Sequence, residues 1–524
     1  MVALLVAAGC GMPQDDWYGE YRLLETGAPD QMQYGEFSID PALPDNINAA
    51  DTRRMAVLLP MSGASAQTGR AIRASIETAI LQRGPQNLAV AFYDTGTNPT
   101  DAINQALAGN PEIIVGPLFA RNARAVRDVK PANLPVLSFT SDATAVGNGV
   151  MTMALMPTNS VEAIVKEMAA DGTRNFVILA PDTESGRLMA GTAKSAAGIY
   201  NIGLSGIFYY KEKDSDSIKN ATHAASMNAA RTAANTRARE ILSDILTKET
   251  LTTLEKSSLN RQLEKISKSD TLGNVPYDAV LFLGTAADAK SLASFMRYYG
   301  VGARDVRYYG TAVWDGTDVA SDLTMSGAKF ATLPEMSENF ANVYEQVAGA
   351  QPTRLSTFGY DAANMAMGMI YSTKSDAAYL LDPSGYVGMD GLFRLKPTGE
   401  NERALRIVET DGNGGLRTVK PAATTFMTPI YNIEQRYISP ARAMNLETNG
   451  VNPMDYISVP QRFQSKYRGK TYGANIAQAA SAPVAEVVTI LPEDDSDVIV
   501  SPDFQPVELE SVNRTYIDSV EIEE

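Results

Sequence analysis

Few side chains in this chain could do chemistry. In 524 residues there is one cysteine, Cys10, and one histidine, His223. That nearly excludes structural zinc, a disulfide framework, and Cys/His or Ser/His nucleophilic catalysis. A Ser–Lys or two-carboxylate enzyme stays open, but no spacing in the sequence argues for one. The chain therefore reads as a non-enzyme with no metal or other cofactor. What is left is a set of hydroxyls and carboxylates in loops. The first is Ser62, in Leu59-Pro60-Met61-Ser62-Gly63. This loop follows the apolar β run Arg54–Leu59 and precedes a helix carrying Ile72, Ile76 and Ile80 at helical spacing. Open α/β sheets place ligand crevices at the carboxyl ends of their strands, where this loop lies.

The elements that must position such loops recur along the chain. Strands are predicted at Leu88–Tyr93, Glu112–Val115, Pro135–Phe139 and Met151–Met156, with Thr100 capping the helix after the first of them. A second series follows at Asn175–Ala180, Gly206–Tyr210, Ala279–Leu283 and Val306–Tyr309. Short strand-to-helix connections suit parallel sheets with right-handed crossovers. A chain of 524 residues also exceeds what one core usually supports. The expectation is an α/β protein of two doubly wound, Rossmann-like lobes. Lobe 1 is expected at 53–155 and 327–395, and lobe 2 at 156–326 and 396–430. Residues 224–268 lack Pro and Gly and predict two helices, forming an arm within an insertion at 214–275. The arm either packs on its own lobe or offers a docking surface.

Both ends differ from this body. Residues 1–10 read MVALLVAAGC, an apolar run ending in small residues that is too short to span a bilayer. Ala7-Ala8-Gly9-Cys10 resembles a bacterial lipobox, whose cysteine is lipidated. The other reading is a small buried cysteine. Ala7 stands where leucine is usual, and no Lys or Arg precedes the run, as a start codon assigned too far downstream would produce. Gly11 after the cysteine favours the outer membrane by lipoprotein sorting rules. Residues 11–52 read as a polar tether, with a short ordered piece expected around Trp17–Leu24. Residues 431–524 read as an irregular extension and acidic tail. From Glu486 onward, Arg514 alone opposes the acids, and composition predicts disorder there. The net charge of −16 argues against nucleic acid or an anionic membrane surface as partner.

Several stretches carry a family resemblance. The strand–Pro-x-Ser-Gly opening, Gly116-Pro117 after the third strand and Pro135-Val136-Leu137-Ser138 on the fourth resemble the type I periplasmic binding protein fold of Leu/Ile/Val receptors. Tyr309-Gly310-Thr311-Ala312-Val313-Trp314-Asp315, Phe358-Gly359-Tyr360-Asp361-Ala362 and Gly385 to Leu395 are similar to LppC/YraM/LpoA-type lipoproteins. Arg403-Ala404-Leu405 and Pro421-Ala422 fit as well. The resemblance covers about residues 53–430. It implies lobes joined by a three-stranded hinge, and a periplasmic lipoprotein on the inner face of the outer membrane. Its implied partner is a class A penicillin-binding protein, which it would activate in peptidoglycan synthesis. Enterobacterial members carry a long helical-repeat domain before this fold, whereas only the short tether precedes it here.

The same resemblance implies where a small molecule would sit between the lobes. In amino-acid receptors of this fold, a hydroxyl after Gly-Pro and another after the fourth strand hold the ligand carboxylate, aided by a helix N-terminus. A second-lobe tyrosine covers the ligand and an acid takes its ammonium. Here Phe119 and Arg121 occupy the first region, and Thr140 and Ser141 the second. Asp182, Glu184 and Asp315 are the candidate acids, with Ser62 and Trp314 completing the cleft set. Each of these is also an ordinary cap, turn or loop residue. A regulator of peptidoglycan synthesis is the first reading, and a solute receptor of an ABC importer for an amino acid or related molecule is the alternative.

Overall fold

The computed structural model describes residues 37–38, 52–83, 87–426 and 450–473. The chain divides into two compact units, Met1–Ala480 and Ser481–Glu524, and every described residue belongs to the first. The lipobox with Cys10, most of the expected tether and the acidic tail from 474 onward lie outside the described residues.

Lobe 1 is a six-stranded parallel sheet. Its strands are β1 (Phe37–Ser38), β2 (Arg53–Leu59), β3 (Leu88–Asp94), β4 (Ile113–Val115), β5 (Val136–Ser138) and β6 (Val150–Thr152), in the order β1-β3-β2-β4-β5-β6. Alternation builds its core on both faces. Met55, Val57 and Leu59 of β2 join Ile72, Ile76 and Ile80 on one face. Ala56 and Leu58 join Ile103, Ala106 and Val126 on the other. Two expectations need correction. The stretch 11–52 contributes β1, whose Phe37 and Ser38 pair with Leu88 and Ala89; a two-residue strand is too short to show periodicity. The helix Pro99–Ala108 is capped by Asn98, not Thr100, with Asn98 Oδ1 accepting from Asp101 N at 3.3 Å. Pro99 fits the first helical turn, where its missing N–H costs nothing, so the cap falls one residue before it.

Lobe 2 is a seven-stranded sheet: β7 (Asn175–Pro181), β8 (Gly203–Tyr210), β9 (Ala279–Phe282), β10 (Arg307–Gly310), β11 (Lys329–Thr332), and later β15 and β16. Its order is β16-β15-β11-β10-β9-β7-β8. The chain returns to lobe 1 for the helices Glu338–Ala348 and Arg354–Ile370. There it also forms a small antiparallel sheet of β12 (Tyr386–Gly388), β13 (Gly391–Leu395) and β14 (Asn401–Arg403). It crosses back to add β15 (Arg406–Thr410) and β16 (Leu416–Lys420), antiparallel, at the edge of the second sheet. The crossings therefore follow Thr332 and Arg403, not the expected 327 and 396. After β10 the chain runs through short 3-10 turns over lobe 2 and then rejoins the same sheet as β11, which no periodicity announces.

Three chain crossings link the lobes, after β6, β11 and β14, and side chains stitch them together. Asn401 donates to the carbonyls of Thr152 (3.0 Å) and Ala154 (2.6 Å). Arg403 reaches the carbonyl of Met153, and Arg406 Nε that of Leu333 at 3.1 Å.

The two helices expected at 224–268 are present, and the insertion holds one more before them. Ser215–Ala225 is the crossover helix of β8, and Asn228–Lys248 and Thr253–Ser267 form the hairpin. The sequence hides the first break because Met227 alone, at φ 51°, turns the chain. Residues 450–473 are largely irregular, yet they strap the hairpin. Val451, Ile457, Val459, Phe463 and Tyr467 enter the same core as Ile241, Ile245 and Leu259. Arg462 forks onto Glu255 at 2.6 and 2.7 Å.

Truncating a buried phenylalanine costs about 3–5 kcal/mol. With Phe463→Ala that loss is expected to fall locally on the strap. Hydrogen exchange should accelerate over 450–473 while the amides of β7 and β9 keep their protection. Unchanged exchange in the strap would show that the apolar anchors do not hold it.

Candidate functional site: the interlobe cleft

Each sheet has a point where strand order reverses, and there the loops at the carboxyl ends part to leave a crevice. In lobe 1 this lies between β2 and β4, bringing the loops of Ser62 and Phe119 to the cleft. In lobe 2 it lies between β7 and β9, with Asp182 and Glu184 after β7.

Most of the candidate groups are already engaged within their own loops. Asp94 Oδ1 accepts from the backbone of Met61 (2.7 Å), Ser62 (3.2 Å) and Gly96 (2.8 Å). The Ser62 hydroxyl lies 2.7 Å from Thr97 Oγ1. Burial works against ionisation of Asp94, but the Ser62 hydroxyl and these N–H groups prevail and hold its carboxyl below the usual range. A Cβ at Gly96 would lie 2.2 Å from the Ser62 carbonyl, so glycine is required in this tight turn. Thr140 is buried and its Oγ1 accepts from Asp142 N at 3.1 Å, while Ser141 is exposed. Asp182 pairs with Arg187, whose guanidinium lies 5.0 Å from the Tyr209 ring centroid. Glu184 is exposed in the first turn of the helix Glu184–Ile199, capped by Thr183. Phe119 stands at the N-cap of Ala120–Val129, 43% exposed and offering no side-chain bond, and Arg121 is exposed one turn position later.

Trp314 does not line the cleft. It is fully buried in the lobe 2 core, edge-on to Phe330 (centroids 5.7 Å apart), with Nε1 donating to the Gly284 carbonyl at 3.2 Å. Its ring lies over Gly310, where a Cβ would come within 2.4 Å of it. Asp315, next in sequence, does face the other lobe, and its Oδ2 accepts from Arg354 Nη2 at 3.4 Å. Among the described residues no hydrogen bond joins any two of the nine cleft candidates.

Sequence reasoning missed the buried charges behind Arg354. Its Nη1 bonds Asp390, in the turn between β12 and β13, and Asp390 also takes the Thr357 hydroxyl. Asp361 accepts from Met389 N at 3.0 and 3.2 Å. Arg403 is sandwiched between the rings of Phe358 (4.5 Å) and Phe393 (4.8 Å). Asp361, Asp390 and Arg403 are 1%, 1% and 5% exposed. Burial raises the Asp390 carboxyl, against Arg354 and Thr357, and lowers the Arg403 guanidinium. A Cβ at Gly388 would fall 2.1 Å from Asp361 Oδ2, so the carboxylate fills the place of a side chain. The available signal was an acid inside a core-helix stripe, Phe358 to Ala362, and a second acid between glycines. His223 packs edge-on to Tyr299, centroids 5.1 Å apart. Among the described residues no group of three His, Cys, Asp or Glu could hold a metal. A cavity of about 350 Å³, lined by Arg53, Asn110, Glu112, Asn133 and Asp376, lies at the amino ends of the lobe 1 strands, away from the cleft.

Residues 44–195 match the family described as "LppC putative lipoprotein". Among solved structures, one from Rhodospirillum rubrum, described as a "putative branched-chain amino acid ABC transporter", is 15% identical with a TM-score of 0.53. That alignment covers 70% of this chain and 100% of the other. This chain combines an LppC-type segment with a type I periplasmic binding protein fold. The C-domain of LpoA (YraM) from Haemophilus influenzae, described as a regulator of PBP1A, is 17% identical with a TM-score of 0.47, over 70% of this chain and 99% of that one. Full-length LpoA from the same organism is 16% identical with a TM-score of 0.48, and 59% of its length is covered. No curated protein matches the chain.

The Asp361 carboxyl is pushed up to about 7 from 3.8, first by burial and then by the Asp390 charge, against Arg403 and the Met389 N–H. Folding therefore favours its protonated form. Its contribution to stability is full below about pH 4 and is lost as pH rises through about 7. Melting temperature measured from about pH 5 to about pH 8 should fall more steeply for the native protein than for Asp361→Asn. Parallel profiles would show that this group does not titrate in that range.

Proposed function

We propose that the protein is a non-enzymatic lipoprotein regulator, held at Cys10 to the inner face of the outer membrane, that activates a class A penicillin-binding protein. The observation that carries this reading is the LppC-type segment at 44–195, which runs from the end of the tether through the first part of lobe 1 into lobe 2. The cleft chemistry supports it. Phe119 stands where a receptor needs a hydroxyl, and Ser62, Thr140, Asp182 and Asp315 are engaged by the chain's own groups. A net charge of −16 favours a protein partner over nucleic acid. No helix among the described residues is long and apolar enough to cross a membrane, so a lipid would supply the attachment.

Solute reception remains the second reading. The specific observation in its favour is that exposed Ser141 and Glu184 stand at the carboxyl ends of strands on opposite lobes.

The chain from Gly11 onward is expected to retain purified class A synthases on a matrix and to speed their glycan polymerisation several-fold. Absence of binding, together with a rise in melting temperature on adding an amino acid, would replace the regulator with the receptor.

A further inference from the structure

Arg354 is the first residue of the helix Arg354–Ile370, capped by Thr353 with Ser356. A cation there faces the positive end of the helix dipole, so helix stability does not account for it. Two carboxylates from different parts of the fold do. Nη1 is held by Asp390, whose side chain is wholly buried and which also takes the Thr357 hydroxyl. Nη2 crosses to Asp315 at 3.4 Å, on the loop after β10 in the other lobe, where the two side chains are 31% and 23% exposed. The guanidinium fork thus has a fixed prong rooted in lobe 1 and a longer, solvent-reached prong on lobe 2. Its planar shape allows both at once, which a lysine ammonium does less well.

We propose that Arg354 is a built-in ligand of the cleft, a latch that draws the lobes together by occupying Asp315 from the opposite side. In a receptor of this architecture a bound molecule bridges the lobes. Here the chain supplies the bridge itself, at a carboxylate that would otherwise meet an incoming cation. The fixed prong keeps the guanidinium aimed when the outer prong breaks, so opening and reclosing need no rearrangement of the buried charges. The outer pair is partly exposed, so salt reaches and weakens it. The lobe angle becomes an equilibrium that a modest interaction can shift.

The test is the distance between spin labels at two exposed helix positions, one in each lobe. Cysteines replace the exposed Gln105 and Ser195 in the chain from Gly11, or in the full chain with Cys10→Ser. The native sequence should give a dominant short-distance population. Asp315→Asn leaves the Asp390 prong intact and should raise the open-to-closed ratio roughly two- to fivefold, as a partly exposed ion pair commands. Arg354→Lys should do the same while still neutralising Asp390, which guards against a variant that merely misfolds. Raising salt to about 1 M should shift the native distribution toward that of Asp315→Asn and leave the variant where it is. Identical distributions for the native protein and Asp315→Asn at low salt would overturn the latch. The measurement uses no partner, so its failure leaves the synthase reading untouched, and failure of synthase binding leaves the latch untouched.

Discussion

The junction of the two lobes depends on one buried cation. Arg403 lies between the rings of Phe358 and Phe393 and reaches the Met153 carbonyl in the first crossing. Taking a guanidinium out of water is expensive, and in a low-dielectric interior only nearby opposite charge repays it. Asp361 and Asp390 are the available carboxylates, and both act on Arg403. Those two acids in turn fix the β12–β13 turn, Asp361 through the Met389 N–H and Asp390 through Arg354 and Thr357. The helix Arg354–Ile370, the small antiparallel sheet and the crossing after β6 are thus held by one set of charges. Replacing any single member strands the others, which is why such clusters specify geometry more than they add stability.

That arrangement explains how the crossings are kept in register. A chain passing between lobes has carbonyls that neither sheet can satisfy. Asn401 and Arg403 of β14 take those of Thr152, Met153 and Ala154, and Arg406 of β15 takes that of Leu333. The small sheet therefore carries the side chains that bind the first crossing, β15 carries the one that binds the second, and the small sheet's own exit forms the third. Gly388 permits this because its missing Cβ is where the Asp361 carboxylate sits.

Local pattern revealed the strands and most helices because each announces itself within a few residues. The alternation of Met55 to Leu59, and the stripes at Ile72, Ile76 and Ile80 or Phe358 to Met369, required no knowledge of neighbours. What depended on partners distant in sequence was missed or misplaced. Trp314 follows a strand and precedes an acid, as a cleft residue would. Phe282, Phe330 and the bare backbone of Gly310 make it core. Lys329–Thr332 became a lobe 2 strand by pairing with β10 and β15, which its own residues do not signal. The strap at 450–473 has its apolar residues too widely spaced for any period. The charge cluster was hidden inside the very motifs that carried the family resemblance, where Asp361 and Asp390 looked like parts of a helix and a turn.

A cleft built to capture a zwitterion must hold donors and acceptors in reserve, because a group already satisfied gains little from a ligand. The loops here do the opposite. Asp94 takes three backbone N–H groups, Thr140 closes its own turn, and Asp182 has Arg187. At the helix start after Gly116-Pro117, where an anion would meet free N–H groups, the side chain presented is Phe119, 43% exposed. An exposed phenylalanine at that position, beside carboxylates that are already engaged, suits contact with a surface better than capture of a small charged solute. The same bonds that fix the shape of these loops leave Asp94, Thr140 and Asp182 with little to gain from a charged solute.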